Sequence, residues 1–331
     1  MAKVFITRPI PKIGIDMLKV KKYEVIVNEK AENRPATKEE MLAGVKGVDA
    51  VLSILTDKID SEVMDVGLAS PKPGEGGSLK IIANYAVGFD NIDLEAAKQR
   101  KIMVTNTPGV LTDTVAEHTF ALMLAIAHRI SEGDKFAKAG RYHAWGPNML
   151  LGTDLTGKTL GIIGLGRIGS RVAYYASRGF DMKVLYNDPK SDPEFEKETG
   201  AQYVEKLEEL LPNCDFVSIH VPLTDSTRHL IDESKLRIMK RTAYLINTSR
   251  GPIIDEKALA SALSKGTIRG AALDVFEFEP EIVPELKLLD NAILTPHIAS
   301  ATEDTRNKMA EIAAQNIIEA LEGRVPPNLI K

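Results

Sequence analysis

The chain of 331 residues contains a single cysteine, Cys214, so no intrachain disulfide can staple it and its cysteine usage suits a reducing compartment. It also lacks any long uncharged apolar run and any signal-peptide pattern, since Met1-Ala2-Lys3-Val4-Phe5-Ile6 passes straight into a strand pattern. Positive charge is not in excess either. A net charge of −4 at pH 7 leaves no basic stripe of the kind that displaces counterions from nucleic acid. No metal-ligand spacing, internal repeat or low-complexity tract is visible. Together these absences predict a cytoplasmic protein that engages neither membrane nor nucleic acid. Cys214 precedes the apolar run Phe216-Val217-Ser218-Ile219, where a thiol is expected to pack as a small hydrophobe rather than act as a nucleophile.

What is present reads as globular, with 44% hydrophobic and 27% charged residues, and the length suits two domains. Strand patterns at 4–7, 23–27, 50–54 and 79–83 alternate with helix patterns at 13–18 and 38–45, which implies a parallel sheet flanked by helices. Residues 70–78, with three glycines and two prolines, are a surface loop by composition. Residues 112–130 read as one long helix, apolar on nearly every side, of the kind covered by another domain or subunit. Further strands are expected at 159–163, 183–187, 216–220, 243–247, 270–274 and 292–295, then an amphipathic helix at 303–321. Because that helix follows the last strand of the second half, it is expected to cross back and complete the N-terminal domain.

At the centre stands Gly164-Leu165-Gly166-Arg167-Ile168-Gly169, between the strand pattern Thr159-Leu160-Gly161-Ile162-Ile163 and a helix pattern at 170–178. About nineteen residues past the last glycine, at the end of the next strand pattern, stands Asp188. This is the context a dinucleotide site demands: a tight turn, close backbone approach to the pyrophosphate, an anion on a helix N-terminus and a carboxylate for the ribose. Asp188 repels a 2′-phosphate, and its neighbours Asn187 and Pro189 supply no cation, so NAD(H) is favoured; Arg167 keeps NADP(H) as the alternative.

Three later stretches each place a functional side chain just past a strand's carboxyl end, where open parallel sheets bind ligands. They are Asn247-Thr248-Ser249-Arg250-Gly251, Leu273-Asp274-Val275-Phe276-Glu277-Phe278-Glu279-Pro280 and Leu294-Thr295-Pro296-His297-Ile298. Taken singly, Arg250 reads as a surface arginine, Glu279 as a turn acid and His297 as a loop histidine. Together, beside a dinucleotide site, they supply what reduction of a 2-oxo acid requires. A guanidinium matches a carboxylate with two parallel bonds, a histidine gives a proton to the carbonyl oxygen, and a glutamate fixes the imidazole's tautomer. Of the other histidines, His118 beside Glu117 reads as an interhelical or cap contact. His143, next to Trp145, is a candidate for the substrate end of the cleft.

These stretches, with Asn84-Tyr85-Ala86-Val87-Gly88-Phe89-Asp90-Asn91-Ile92-Asp93, Asn106-Thr107-Pro108-Gly109-Val110-Leu111-Thr112-Asp113 and Gly157-Lys158 ahead of the fingerprint strand, carry a resemblance over nearly the full length. The chain resembles the D-isomer-specific 2-hydroxyacid dehydrogenase family, and within it the glyoxylate/hydroxypyruvate reductases. The resemblance implies Arg250 as carboxylate binder, Glu279 as orienting acid and His297 as general acid/base. It implies backbone N–H groups of Val87 and Gly88 as further carboxylate donors. It also implies cofactor contacts from Thr112, Thr248 and Asp274, the last near the nicotinamide carboxamide, and from the Val221-Pro222 turn after His220, which meets the adenosine. Gly164, Gly166, Arg167, Ile168, Gly169 and Asp188 complete the expected cofactor site, with no metal.

The expected architecture is two doubly wound parallel-sheet α/β domains. A Rossmann cofactor domain at 104–297 is inserted in a flavodoxin-like substrate domain at 1–103 and 298–331. The expected activity is NADH-dependent reduction of a small 2-oxo acid to its D-2-hydroxy acid, glyoxylate to glycolate or hydroxypyruvate to D-glycerate, by a homodimer. Formate oxidation is disfavoured, because formate dehydrogenases of this family carry an amide where Glu279 stands. The 70–78 loop is longer than the family leads one to expect. Two alternatives stay open. A D-3-phosphoglycerate dehydrogenase shares every motif, although about thirty residues after His297 leave no room for a C-terminal regulatory domain. A non-enzymatic dinucleotide-sensing regulator is the other.

Overall fold

The structure, a computed structural model, describes residues 1–32, 34–69 and 79–330, so the expected loop at 70–78 lies outside the described residues. The chain begins with β1 (Lys3–Ile6), α1 (Lys12–Val20), β2 (Glu24–Val27), α2 (Lys38–Gly44), β3 (Ala50–Ile54), α3 (Ser61–Leu68), β4 (Ile81–Tyr85), α4 (Leu94–Gln99) and β5 (Met103–Thr105). It continues through α5 (Thr112–Ala127), α6 (Ile130–Lys138), β6 (Thr159–Ile163), α7 (Arg167–Gly179), β7 (Lys183–Asn187), α8 (Pro193–Thr199), β8 (Gln202–Tyr203), α9 (Leu207–Leu210) and β9 (Phe216–Ile219). It closes with α10 (Glu233–Ile238), β10 (Tyr244–Asn247), α11 (Glu256–Ser264), β11 (Gly270–Leu273), β12 (Ala292–Leu294) and α12 (Glu303–Leu321). Helix starts are set by side-chain caps. Thr37 and Glu40 form a capping box on α2, while Asp60, Asp93, Asp232, Asp255 and Thr302 each accept a first-turn N–H of α3, α4, α10, α11 and α12.

The chain divides into two compact units, Met1–Leu111 with Ala301–Lys331, and Thr112–Ser300. In the first, five parallel strands run in the order β2-β1-β3-β4-β5, the flavodoxin-like arrangement. The first switch falls at 111/112 rather than at 103/104, because β5 pairs with β4 through Ile81↔Met103 and Ile82↔Val104. The return falls at 300/301 rather than 297/298, because the Asp274 carboxylate of the second unit binds the N–H groups of Ile298 and Ala299. Helix α12 packs on α1 and β4, and the Tyr85 hydroxyl donates to the Arg306 carbonyl at 2.7 Å.

The second unit holds a seven-stranded parallel sheet, β12-β11-β10-β9-β6-β7-β8, the dinucleotide-binding order with one further strand. Strands β9, β10 and β11 are buried on both faces, as the central strands of a doubly covered sheet must be. Along β10 the period of two is plain. Tyr244 and Ile246 join Phe120 and Met123 of α5 and Val172 of α7, while Leu245 joins Leu236 of α10 and Leu259 of α11.

The expected helix at 112–130 is two helices. Helix α5 ends at Ala127, Arg129 takes a left-handed φ of 54°, and α6 starts at Ile130. The Arg129 guanidinium holds the bend by donating to both Glu132 oxygens at 2.7 and 2.8 Å. Most of the apolar surface of α5 (Val115, Ala116, Phe120, Leu122, Met123 and Ile126) is buried, and the helix packs on β10, β11 and α7 of its own unit. Exposed apolar side chains stand instead on the following segment, at Ile130, Tyr142, Trp145, Met149 and Leu151.

Candidate active site

Strand order reverses between β6 and β9, and the glycine fingerprint lies in the turn leaving β6. Gly164 has φ of 95°, donates its N–H to the Asn187 carbonyl at 2.8 Å, and faces Val221 so closely that a Cβ would press on it. At Gly169 a Cβ would collide with the Gly164 carbonyl, so only glycine lets α7 close on the turn. Gly166 differs from both. It N-caps α7, and a Cβ there would meet no protein atom within 4 Å. The space in front of it is open, before the N–H groups of a thirteen-residue helix whose dipole favours an anion. Arg167 is exposed and Ile168 half-buried at the first turn.

Asp188, just past β7, accepts the Leu165 N–H at 2.8 Å through Oδ2 and lines a cavity of about 600 Å³ with Lys190, Ser191 and Asp192. Lys190 is a cation that Asn187 and Pro189 alone did not suggest. Past β9, the Val221 carbonyl accepts the Ser249 hydroxyl, and the Pro222 carbonyl accepts the Thr227 hydroxyl at 2.7 Å. His220 shares a 2.8 Å hydrogen bond with Ser218, and burial pushes its imidazole down to about 3, so it stays neutral. Turn, helix amides and carboxylate thus fit a dinucleotide.

Strands β10, β11 and β12 are parallel neighbours, so the residues following each share one edge of the sheet. After β10, Asn247 folds the turn. Its Oδ1 accepts the Ser249 N–H at 3.0 Å and its Nδ2 donates to the Arg250 carbonyl at 2.9 Å. Arg250 is half-buried, with Nη1 donating to the Ser249 carbonyl at 2.9 Å. The hydroxyl of Thr248 meets that of Thr119 on α5 at 3.0 Å, and Thr112 opens the same helix half-buried.

After β11, Glu279 accepts the Phe276 N–H at 2.9 Å through Oε1 and meets Nδ1 of His297 at 2.9 Å through Oε2. His297, after β12, has a left-handed φ of 54°, a conformation that costs a non-glycine residue on the order of 1–3 kcal/mol. Asp274 holds it there. The Asp274 carbonyl accepts the His297 N–H at 2.8 Å. Its Oδ1 accepts the Thr295 hydroxyl at 2.6 Å and the Ile298 N–H at 2.9 Å, while Oδ2 accepts the Ala299 N–H at 2.8 Å. Burial alone would raise this fully buried carboxyl, but His118, Thr295 and the two N–H groups hold it below the usual range and keep it ionised.

His118 is therefore no helix cap. Its Nε2 lies 3.5 Å from Asp274 Oδ1 and 3.4 Å from the Thr295 hydroxyl. A partial signal was present in the sequence: His118 and Thr119 are polar side chains at the start of the apolar run that completes the helix, where Thr119 is buried and His118 half-buried. His143 is exposed beyond α6.

In the first unit, Val87 and Gly88 follow β4, and asparagines fix their loop. Asn106 donates to the Val87 carbonyl at 2.8 Å and Asn84 to the Gly88 carbonyl at 2.9 Å, while Asn84 also pairs with Ser53 and Asn91. These asparagines lie inside the motifs quoted above, yet their positioning work is visible only in three dimensions. Among the described residues no cluster of three His, Cys, Asp or Glu could hold a metal ion, and no helix is long and apolar enough to cross a membrane. Cys214 is fully buried, which pushes its thiol up to about 12.

The sequence profile described as D-isomer specific 2-hydroxyacid dehydrogenase, NAD binding domain, matches residues 120–299. A glyoxylate reductase of Korarchaeum cryptofilum is 50% identical over 331 residues, covering 99% of this chain and 95% of that protein. Among solved structures, a protein of Thermus thermophilus superposes with a TM-score of 0.91 at 43% identity, covering 99% of this chain and all of that one. An NADPH-dependent glyoxylate/hydroxypyruvate reductase of Sinorhizobium meliloti gives 0.84 at 29% identity, covering 100% and 98% of the two chains.

Proposed function

The chain belongs to the D-isomer specific 2-hydroxyacid dehydrogenase family and is an NAD(P)-dependent oxidoreductase, and from that premise we propose that it reduces glyoxylate to glycolate and hydroxypyruvate to D-glycerate. The observation that carries this reading is the 2.9 Å pair of His297 and Glu279, on the sheet edge where Arg250 also stands. Arg250 grips the substrate carboxylate in two parallel bonds. Glu279 accepts from Nδ1, which leaves Nε2 of His297 to hand its proton to the carbonyl oxygen as that oxygen gains charge. A reduced nicotinamide would supply the hydride when bound. Gly164, Gly166, Arg167, Ile168 and Gly169 would hold its pyrophosphate, Asp188 its ribose, Val221 and Pro222 its adenosine, and Thr112, Thr248 and Asp274 its nicotinamide end. For Asp274 the carboxamide contact rests on the resemblance, whereas support of the His297 loop rests on its hydrogen bonds.

NADH is the proposed donor, because the Asp188 carboxylate opposes a 2′-phosphate. Lys190 and Arg167 are the cations that a preference for NADPH would implicate. The acid–base assignment is tested by two variants. His297→Ala should lose most activity at every pH, by about a hundred- to ten-thousand-fold. Glu279→Gln keeps the shape but removes the carboxylate that holds the imidazole in place, so kcat/KM should fall on the order of a hundredfold with NADH affinity kept. An unchanged kcat/KM would leave Glu279 a turn residue before Pro280.

A further inference from the structure

Behind the catalytic pair lies a second set of ionisable side chains that the reaction does not touch. Glu277, two residues before Glu279, is 6% exposed in its side chain, and its Oε1 lies 2.6 Å from Nε2 of His229 and 3.8 Å from the Arg228 guanidinium. The Glu277 N–H donates to Oε1 of Glu256 at 3.0 Å, and the Glu256 N–H donates back to Oε2 of Glu277 at 3.4 Å. His229 has a left-handed φ of 50°, and its own N–H donates to the Pro252 carbonyl at 2.8 Å. Beside it, Ile231 pairs with Ile254. Gly251 lies so close to the Phe276–Glu277 peptide that a Cβ would overlap it.

These contacts tie two stretches together at four points. One stretch, 250–256, carries Arg250; the other, 276–279, carries Glu279. We propose that His229, Glu277 and Glu256 are positioning residues, which set the Arg250 loop against the Glu279 loop so that the substrate's carboxylate and its carbonyl oxygen meet their partners together. The inference rests on the reading of this edge as a 2-oxo acid site. Its physical basis is the cost of misplacement. Arg250 holds one end of a small substrate and His297, through Glu279, serves the other, so a shift of about 1 Å between the loops costs on the order of a hundredfold in rate.

The charge arrangement suits such a brace. Two buried carboxylates side by side repel, and here His229 and Arg228 face Glu277 from a third segment. Glu256, 1% exposed with Oε2 unpartnered among the described residues, is pushed up by burial and then by the charges of Glu277 and Glu279. It therefore takes a proton more readily than a solvent-exposed carboxyl and can share the space.

The test compares His229→Leu, His229→Gln and Glu277→Gln with the wild type, reading kcat and KM for glyoxylate reduction by NADH, NADH affinity and melting temperature. Leucine removes the donor to Glu277, whereas glutamine places an N–H near the same point. The expected result for His229→Leu is a fall in kcat/KM of about ten- to a hundredfold, with KM raised and NADH affinity kept. His229→Gln should recover most of the loss. If His229→Leu fails to fold, Glu277→Gln is read by the same criteria. A variant that loses only melting temperature, with kcat and KM at wild-type values, overturns the proposal, as does an equal loss in the Leu and Gln variants. A wild type that turns over no 2-oxo acid would instead sink the functional reading, so the two failures are told apart.

Discussion

Arg250 carries the sharpest consequence at the scale of single residues. Its guanidinium is a fixed charge in a half-buried position, on a turn that Asn247 locks with two hydrogen bonds. Arg250→Ala should raise KM for the oxo acid and also lower kcat, because the same group anchors the carboxylate and steadies charge growing on the adjacent oxygen. A loss in kcat/KM on the order of 10²–10³ is expected, and wild-type kinetics would remove Arg250 from the site. The types and order of these residues could be read from the linear chain, because the chemistry restricts which side chains serve. Their supports could not. His118 reaching Asp274, and Asn106 holding the Val87 carbonyl, are contacts between segments that no spacing along the chain encodes.

Elements were legible where period and punctuation agreed. Strand β6 and helix α12 have the bounds their patterns predict, since each is closed by a turn residue or a cap. Strand β4 begins at Ile81 rather than 79, its register set by pairing with β3. The break between α5 and α6 left no proline or glycine to announce it, because Arg129 supplies a left-handed residue stabilised by Glu132. Helices α3, α4, α10 and α11 are short segments whose apolar faces are defined only by the sheets they cover.

At the start of α11, Glu256 offers a test of electrostatic cost. Its carboxyl is raised above an ordinary value near 4.5, so the folded protein binds a proton there that the unfolded chain releases. Stability contributed at this position is present below about 4.5 and is lost as pH rises through the raised value. Glu256→Gln should remove that loss. Calorimetry should show a gain in melting temperature over wild type at pH 8 that shrinks at pH 4, each kcal/mol amounting to about 2–4 °C for a unit the size of Thr112–Ser300. A gain of equal size at both pH values would contradict the assignment.

For the whole molecule, the exposed apolar side chains at 130–151 bear on assembly more directly than α5, whose apolar surface is largely covered within its own unit. Trp145 is 79% exposed, Tyr142 58% and Leu151 56%, a concentration that water disfavours and a second copy of the chain would cover. A homodimer is therefore the expected state in sedimentation at micromolar concentration, and Trp145→Asp with Leu151→Asp should shift it toward monomer. A wild-type monomer under those conditions would refute the dimer.

The central claim is that the edge bearing Arg250, Glu279 and His297 reduces a small 2-oxo acid. It is tested most directly by NADH oxidation rates with glyoxylate, hydroxypyruvate, phosphohydroxypyruvate and pyruvate side by side, repeated with NADPH. Turnover of glyoxylate and hydroxypyruvate above the other two, with NADH the better donor, is the expected result. A preference for phosphohydroxypyruvate would indicate a 3-phosphoglycerate dehydrogenase, and no turnover of any of the four with either donor would contradict the account and favour a dinucleotide-sensing protein.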